Sequence, residues 1–114
     1  MHRGEIYLVN LDPSSAEANK QRPAVIVSND GANASAERSG HGVITIVPVT
    51  SNVTRIYPFQ VLIPADATGL DVDSKAQAEQ VRSISVERLG PAIGEVPHRL
   101  MEEIDEALRL HLAL

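Results

Sequence analysis

The sequence predicts a mainly β domain that ends in an α-helix, and two patterns carry this prediction. Short segments rich in β-branched residues, separated by turn residues, fill most of the chain before Pro97. After Pro97 the apolar residues recur every four positions, at Leu100, Ile104, Leu108 and Leu112. This order favours one domain over residues 1–114, with a small, strongly bent antiparallel sheet or barrel capped by the helix.

The β-rich segments predict five main strands, and the residues between them predict turns. We expect strands at 5–11, 23–28, 42–50, 57–63 and 77–84, with a further short strand at 93–96. In the fifth strand, Ala78, Gln80 and Arg82 would share one face. Polar residues 13–22 predict a mobile loop, 64–75 a turn-rich loop, and 32–39 a short helix or a loop. Because proline lacks an N–H, Pro48 predicts an edge, a bulge or a departure from the sheet.

The composition excludes several classes of site. The chain has no cysteine, which excludes disulfides, zinc–thiolate sites and cysteine nucleophiles and agrees with a reducing cytoplasm. No apolar stretch reaches the ~20 residues that cross a bilayer, and no secretory signal follows the N-terminus. We therefore expect a cytoplasmic protein that does not bind a membrane.

The formal net charge of −5 argues at first against a nucleic-acid partner. The charge is uneven, however, because residues 1–63 hold five basic and five acidic side chains, whereas residues 64–114 hold five and ten. Much of the excess acid lies between Glu95 and Glu106, on the predicted helix. The rest of the surface can be locally basic, and a phosphate responds to the local field. We expect modest, salt-sensitive binding to RNA.

No stretch of the chain forms a convincing metal or cofactor motif. The segment that starts at Asp71 resembles a calcium loop, but Ala76 replaces its glycine and Arg82 its final glutamate. The four histidines do not have the spacing of metal ligands. We therefore expect neither a metal nor an organic cofactor.

Two short stretches together suggest an anion site. Arg22 ends the polar loop directly before Pro23, which biases the Arg22 backbone toward an extended conformation. The stretch Val47–Asn52 delivers two hydroxyls and an amide where a strand leaves the sheet. Taken singly, the first is more often a surface salt bridge and the second a capped turn. A guanidinium combined with hydroxyl donors suits a phosphate.

In its order of motifs, the chain resembles the MazF/PemK family of toxins. The resemblance covers essentially the whole chain: Arg3–Tyr7, Leu11–Pro13, Glu17 five residues ahead of Arg22–Ser28, Val47–Asn52, Tyr57–Phe59 and Ala78–Ile84. It implies an SH3-like β-barrel with a C-terminal helix, the MazF/CcdB-type toxin fold, assembled as a homodimer. It also implies a sequence-specific ribonuclease that cleaves single-stranded RNA and is inhibited by a MazE-like antitoxin.

The resemblance implies a chemistry that needs no metal. In this family the ribose 2′-OH attacks the adjacent phosphorus and leaves a 2′,3′-cyclic phosphate and a 5′-OH. Arg22 and Thr50 match the positions that carry catalysis, and Glu17 matches an acidic position that acts as a base or orients the arginine. Residues matching positions that contact RNA are Gln21, Ser51, Asn52, Gln80 and Arg82.

The chain departs from its relatives in ways that leave the proton donor open. Gln21 stands where some relatives have a histidine before the arginine, and the late Arg-x-Asp pair of others has no clear match. Three alternatives remain: a CcdB-like toxin that binds gyrase, a non-catalytic SH3-like binding module, and an inactive paralogue. The pairing of Arg22 with Thr50 favours the nuclease.

Overall fold

In a computed structural model, the structure describes residues 1–12 and 21–114. These ranges contain seven strands and three α-helices: β1 (Glu5–Asn10), β2 (Gln21–Ile26), α1 (Asp30–Ser39), β3 (Val43–Thr50), β4 (Gln60–Ile63), α2 (Ala65–Thr68), β5 (Ser74–Gln77), β6 (Arg82–Ser85), β7 (Leu89–Glu95) and α3 (His98–Leu112). Single 3-10 turns occupy Ala78–Gln80 and Val86–Arg88. The predicted mainly β chain with a C-terminal helix is confirmed.

The strands form one antiparallel sheet, in the order β4-β5-β3-β2-β1-β7, with β6 also paired to β3. One edge of β3 pairs with β2, while its other edge pairs first with β6 and then with β5. A strand that changes partners along one edge requires a bent sheet. Within the described ranges the sheet does not close on itself, so the prediction is confirmed only as a bent antiparallel sheet and not as a barrel.

Pro48 lies where β3 changes partners. The β6 ladder covers 43–46 of β3 and the β5 ladder begins at Val49, so Pro48 falls between them. Because proline has no N–H to donate, a gap in the ladder is the position that costs it least. The sequence predicted an edge, a bulge or a departure from the sheet at Pro48; the structure instead keeps it inside β3, paired with Ala24 of β2.

The sheet buries apolar side chains on both faces. Successive β2 residues alternate between two clusters: Ala24 and Ile26 pack with Ala36 of α1, whereas Val25 packs with Ile104 of α3. This explains why the second half of β2 is entirely apolar: Ala24, Val25 and Ile26 are buried between the two clusters.

The C-terminal helix packs on the sheet through the predicted stripe, except at its end. Leu100 and Ile104 are buried, and Leu108 packs at the edge of the same cluster. Leu112, by contrast, is 49% exposed, so its prediction as a packing residue was wrong.

The segment 32–39, which the sequence left open between helix and loop, is helical. The Asn29 side chain caps α1 by accepting a hydrogen bond from the Ala32 N–H at 2.8 Å. Gly40 ends the helix with φ 72°, a left-handed conformation that glycine adopts without strain.

Four predicted segments differ from the structure. The strand 57–63 is shorter, as β4 (Gln60–Ile63), and the short strand 93–96 belongs to the longer β7 (Leu89–Glu95). The single strand 77–84 was wrong: it is the end of β5, a 3-10 turn at Ala78–Gln80, and β6. The chain must step here because β5 and β6 pair with different parts of β3. The loop 64–75 contains the short helix α2 and the start of β5.

Candidate functional site

Arg22 and Thr50 face each other across the open end of the β2–β3 ladder. The last bonded pair is Ala24 with Pro48, and extending this antiparallel register by two residues brings Arg22 opposite Thr50. Arg22 lies inside β2, paired with Val9 of β1, so its prediction at the end of a loop was wrong. Its backbone is nevertheless extended, as the following proline requires. Both side chains line one groove.

The Arg22 guanidinium is exposed and forms no ion pair with any described residue. The sequence alone favoured an arginine in a surface salt bridge. Arg22 differs from that expectation, because no described carboxylate neutralises its guanidinium. An uncompensated guanidinium at the mouth of a groove attracts an anion, and its planar fork can bind two oxygens of a phosphate.

Thr50 is the last residue of β3, and its hydroxyl caps the turn that follows. Thr50 Oγ1 accepts a hydrogen bond from the Asn52 N–H at 3.2 Å, and Asn52 Oδ1 accepts one from the Thr54 N–H at 3.3 Å. The capped-turn interpretation of this stretch is therefore correct. It does not compete with anion binding, since the Thr50 O–H remains a donor.

The opposite wall of the groove comes from the break between β5 and β6. Gln80 ends the 3-10 turn and Arg82 begins β6, and both are exposed and line the groove. The turn packs against α3 and β3, which fixes the position of these two side chains. The groove therefore holds a second arginine that has no carboxylate partner among the described residues.

Gln21 and Ser51 complete the predicted set within the groove. The side chain of Gln21 lies against Gly90 of β7, where an added Cβ would approach its Nε2 to 2.9 Å. A larger residue at Gly90 would have to displace the Gln21 amide and would also crowd the Leu8 carbonyl oxygen. Ser51 is exposed directly after Thr50.

Two predicted residues are not part of the groove as the structure describes it. Asn52 is exposed, does not line the groove and instead caps the Thr54 N–H. Glu17 lies outside the described residues. Its role as a base or as an orienting group therefore stays a prediction.

The groove has a volume of about 1050 Å³ and includes residues that the motifs did not identify. Its remaining wall comes from the end of α2 and the segment before β5. Gly94 allows this wall to lie close to β7, because an added Cβ would meet the Thr68 carbonyl oxygen at 2.5 Å. The lining residues missed from the sequence include Leu70, Asp71, Val72, Gln77 and Ile93. The sequence pattern identified 70–72 only as part of a turn-rich loop at 64–75.

Within residues 1–12 and 21–114, no group of three or more His, Cys, Asp or Glu side chains could hold a metal ion. None of the helices described is long and apolar enough to cross a membrane.

Among the described residues, three groups with shifted pKa values lie outside the groove lining. A hydrogen bond with Glu95 raises the pKa of His2, and the Arg3 N–H lowers the pKa of the Asp30 carboxyl by donating to it. Burial raises the pKa of the Tyr7 phenol. These shifts affect stability in the N-terminal region and do not supply a proton donor to the groove.

Comparison with known proteins gives consistent results. The family model of the PemK-like, MazF-like toxin of type II toxin–antitoxin systems matches residues 2–112. The chain is 63% identical to endoribonuclease MazF9 of Mycobacterium tuberculosis, over 100% of this chain and 98% of that protein. Among solved structures, MazF (Form-I) from Deinococcus radiodurans aligns with a TM-score of 0.76 and 26% identity, covering 100% and 97%. An endoribonuclease in complex with its cognate antitoxin, from a mycobacterial species, aligns with a TM-score of 0.74 and 25% identity, covering 100% and 96%.

Proposed function

This chain belongs to the PemK-like, MazF-like family of type II toxin–antitoxin systems, and we propose that it is an endoribonuclease that cuts single-stranded RNA at short sequences. The observation that carries the proposal is the exposed Arg22, which pairs with no described carboxylate, opposite Thr50 in a groove of about 1050 Å³. Similarity to endoribonuclease MazF9 over the full chain supports the same activity.

The cleavage would proceed by transesterification within the RNA. The 2′-oxygen forms a bond to phosphorus as its proton passes to a base, and the bond from phosphorus to the 5′-oxygen breaks. The 5′-oxygen takes up a proton, which leaves a 2′,3′-cyclic phosphate and a 5′-OH. The nucleophile belongs to the substrate, so the reaction needs no metal to activate a water.

Arg22 would stabilise the negative charge that develops on the phosphoryl oxygens, because a guanidinium already in place needs no reorganisation during the reaction. Thr50 would donate its hydroxyl proton to a non-bridging oxygen of the same phosphate, with Ser51 assisting. Glu17 would accept the 2′-OH proton or orient Arg22. The group that protonates the 5′-oxygen stays open.

Single-stranded RNA is the substrate that suits this groove. A duplex hides the base edges and holds the 2′-OH out of line with the leaving oxygen. Gln21, Gln80 and Arg82 line the walls beside Arg22 and would contact the strand on each side of the scissile phosphate. The amide oxygen of Asn52 accepts a hydrogen bond from the Thr54 N–H. Asn52 would therefore contact a base through its NH₂ group.

We further propose a homodimer and a MazE-like antitoxin as partners, acting in the cytoplasm. Exposed apolar side chains at Leu62, Leu110 and Leu112 support a self-association surface, since a second copy would remove them from water. The solved relative in complex with its antitoxin supports the second partner. We also propose that the sheet of this chain curves into an SH3-like barrel, as the family resemblance implies. The change of pairing from β6 to β5 along one edge of β3 favours this curvature.

The test is cleavage of mixed-sequence single-stranded RNA by the purified protein in excess EDTA, followed by mapping of the cut sites and analysis of the ends. We expect cyclic phosphate and 5′-OH ends, and a rate about 10²–10³ lower for Arg22→Ala. Arg38→Ala is the matched control, because Arg38 is equally exposed but lies on α1, outside the groove.

Failure of the folded parent protein to cut RNA would contradict the nuclease and favour the CcdB-like alternative, a toxin that binds gyrase. That alternative predicts inhibition of gyrase without any effect on naked RNA. Cleavage that needs a divalent ion would contradict the metal-free mechanism alone.

A further inference from the structure

An arginine stacked on an aromatic ring follows closely after Thr50. The Cζ atom of Arg55 lies 5.1 Å from the centroid of the Tyr57 ring. That ring stacks on Phe59, with centroids 5.3 Å apart and an interplanar angle of 3°. Arg55 is exposed and forms no ion pair with a described residue. Its guanidinium is thus positioned by the ring but not neutralised.

The side chains of Lys75 and Gln60 hold the backbone of Arg55 and Tyr57 through hydrogen bonds. The Lys75 ammonium donates to the Arg55 carbonyl oxygen at 2.6 Å and lies 5.9 Å from the Tyr57 centroid. Gln60 Oε1 accepts from the Tyr57 N–H at 3.1 Å, while Gln60 Nε2 donates to Glu79 at 2.6 Å. Lys75 is only 7% exposed, so its charge is directed at this segment rather than at solvent.

Lys75 also links the Arg55 backbone to the strand position opposite Thr50. In the β3–β5 ladder Lys75 is the direct partner of Thr50, so the two side chains leave the sheet on the same face. The Lys75 ammonium donates to the Arg55 carbonyl oxygen and lies near the Tyr57 ring. The Arg55 backbone therefore lies about one lysine side chain away from that strand position, next to the groove but outside the residues that line it.

We propose that Arg55, held on Tyr57 by Lys75, is a stacking subsite for one unpaired RNA base close to the scissile phosphate; this rests on the proposed function. A guanidinium plane already packed on a ring offers its outer face to a base, while its charge favours the adjacent backbone. Stacking accepts any base, because every base has a π-face. The subsite would thus select unpaired strands rather than a sequence.

The test is an abasic scan along a short RNA made uncleavable by a 2′-deoxy sugar at the mapped cut position. In the parent protein, removing one base near the cut should weaken binding about tenfold or more. The same abasic substitution should cost almost nothing in Arg55→Ala, because the contact is already lost.

Arg55→Lys separates stacking from charge. It keeps the positive charge but loses the plane, so it should behave in the abasic scan as Arg55→Ala does. Lys75→Met should reduce the abasic penalty while leaving the dependence of cleavage on Arg22 intact. Arg38→Ala should keep the full penalty. Thermal melting of each variant checks that it is folded.

If Arg55→Ala still lost as much binding at the abasic position as the parent protein does, the subsite would be overturned. If Arg55→Lys still showed this loss of binding, the contact would depend on charge alone and not on stacking. If the parent protein cuts RNA but shows no Arg55-dependent position, only the subsite fails. If the parent protein neither binds nor cuts RNA, the proposed function fails with it.

Discussion

Two regions of this molecule use arginine in opposite ways. At the N-terminal end Arg3 is partly buried, donates from Nε to the Val27 carbonyl oxygen at 2.9 Å and pairs with Asp105 of α3. In the groove, Arg22 and Arg82 are exposed and pair with no described carboxylate.

The difference shows which charges stabilise the fold and which can bind a ligand. A guanidinium that already holds a carboxylate and a carbonyl has few donors left for an anion. A guanidinium without a partner adds little to stability but keeps its donors available. The total charge of the chain conceals this division, because its acids lie largely on α3 and in the N-terminal region rather than in the groove.

The largest effect on stability is expected in the contact between α3 and the sheet. Ile104→Ala removes a side chain that is 1% exposed and leaves a cavity in the core, which should lower the free energy of unfolding by about 2–5 kcal/mol. Urea denaturation followed by circular dichroism measures the change. Glu103→Ala is the control on the same helix, because Glu103 is exposed. An equal loss in both variants would contradict this packing.

A smaller effect is expected from Arg3→Met, which sharpens the comparison between the two arginine environments. It removes the ion pair with Asp105 and the bond to Val27, so the free energy of unfolding should fall by about 1–2 kcal/mol, with cleavage by the folded protein retained. Arg22→Ala should show the reverse: cleavage should be lost, while the free energy of unfolding stays within about 0.5 kcal/mol of that of the parent protein. Denaturation and single-turnover cleavage are measured on both variants. If both variants lost stability and cleavage to the same extent, the division of roles between the two arginines would be contradicted.

The smallest effect is expected from His2, which is half exposed and lies between Glu5 and Glu95. Its hydrogen bond with Glu95 raises its pKa above the ordinary value of 6.5, so the protonated form stabilises the folded state. This stabilisation is complete below the unfolded pKa and disappears as the pH rises through the folded pKa. His2→Gln should therefore lower the Tm slightly at about pH 5 and leave it unchanged at about pH 8.5. A difference of equal size at both pH values would exclude a role for the His2 charge.

Much of the fold could be predicted from local patterns in the sequence. The spacing of four in α3 and the alternation or continuous apolarity of β1 to β3 identify elements whose buried faces depend on near neighbours in the chain. Leu112 was misassigned because the periodicity of a helix does not show where its packing against the sheet stops.

The boundaries near the groove required the tertiary structure. The sequence 77–84 has the composition of one strand, but β3 offers two separate pairing partners there and forces a turn between them. Arg22 and Thr50 could be selected from the sequence because each lies in a strand that contains a proline. Each of these strands also matches a motif of the family. The lining residues from 69–74 could not, since they reach the groove only through the approach of α2 to Gly94.

Residue types and local periodicity were enough to identify most of the strands and the final helix, and the family resemblance pointed to Arg22 and Thr50. Only the tertiary structure decided that Arg3 pairs with a carboxylate while Arg22 pairs with no described one, and that Lys75 donates to the Arg55 carbonyl oxygen. The reason is that secondary structure depends on neighbours along the chain. The state of a charge depends on groups that are distant in sequence and brought close by folding, such as Asp105 for Arg3.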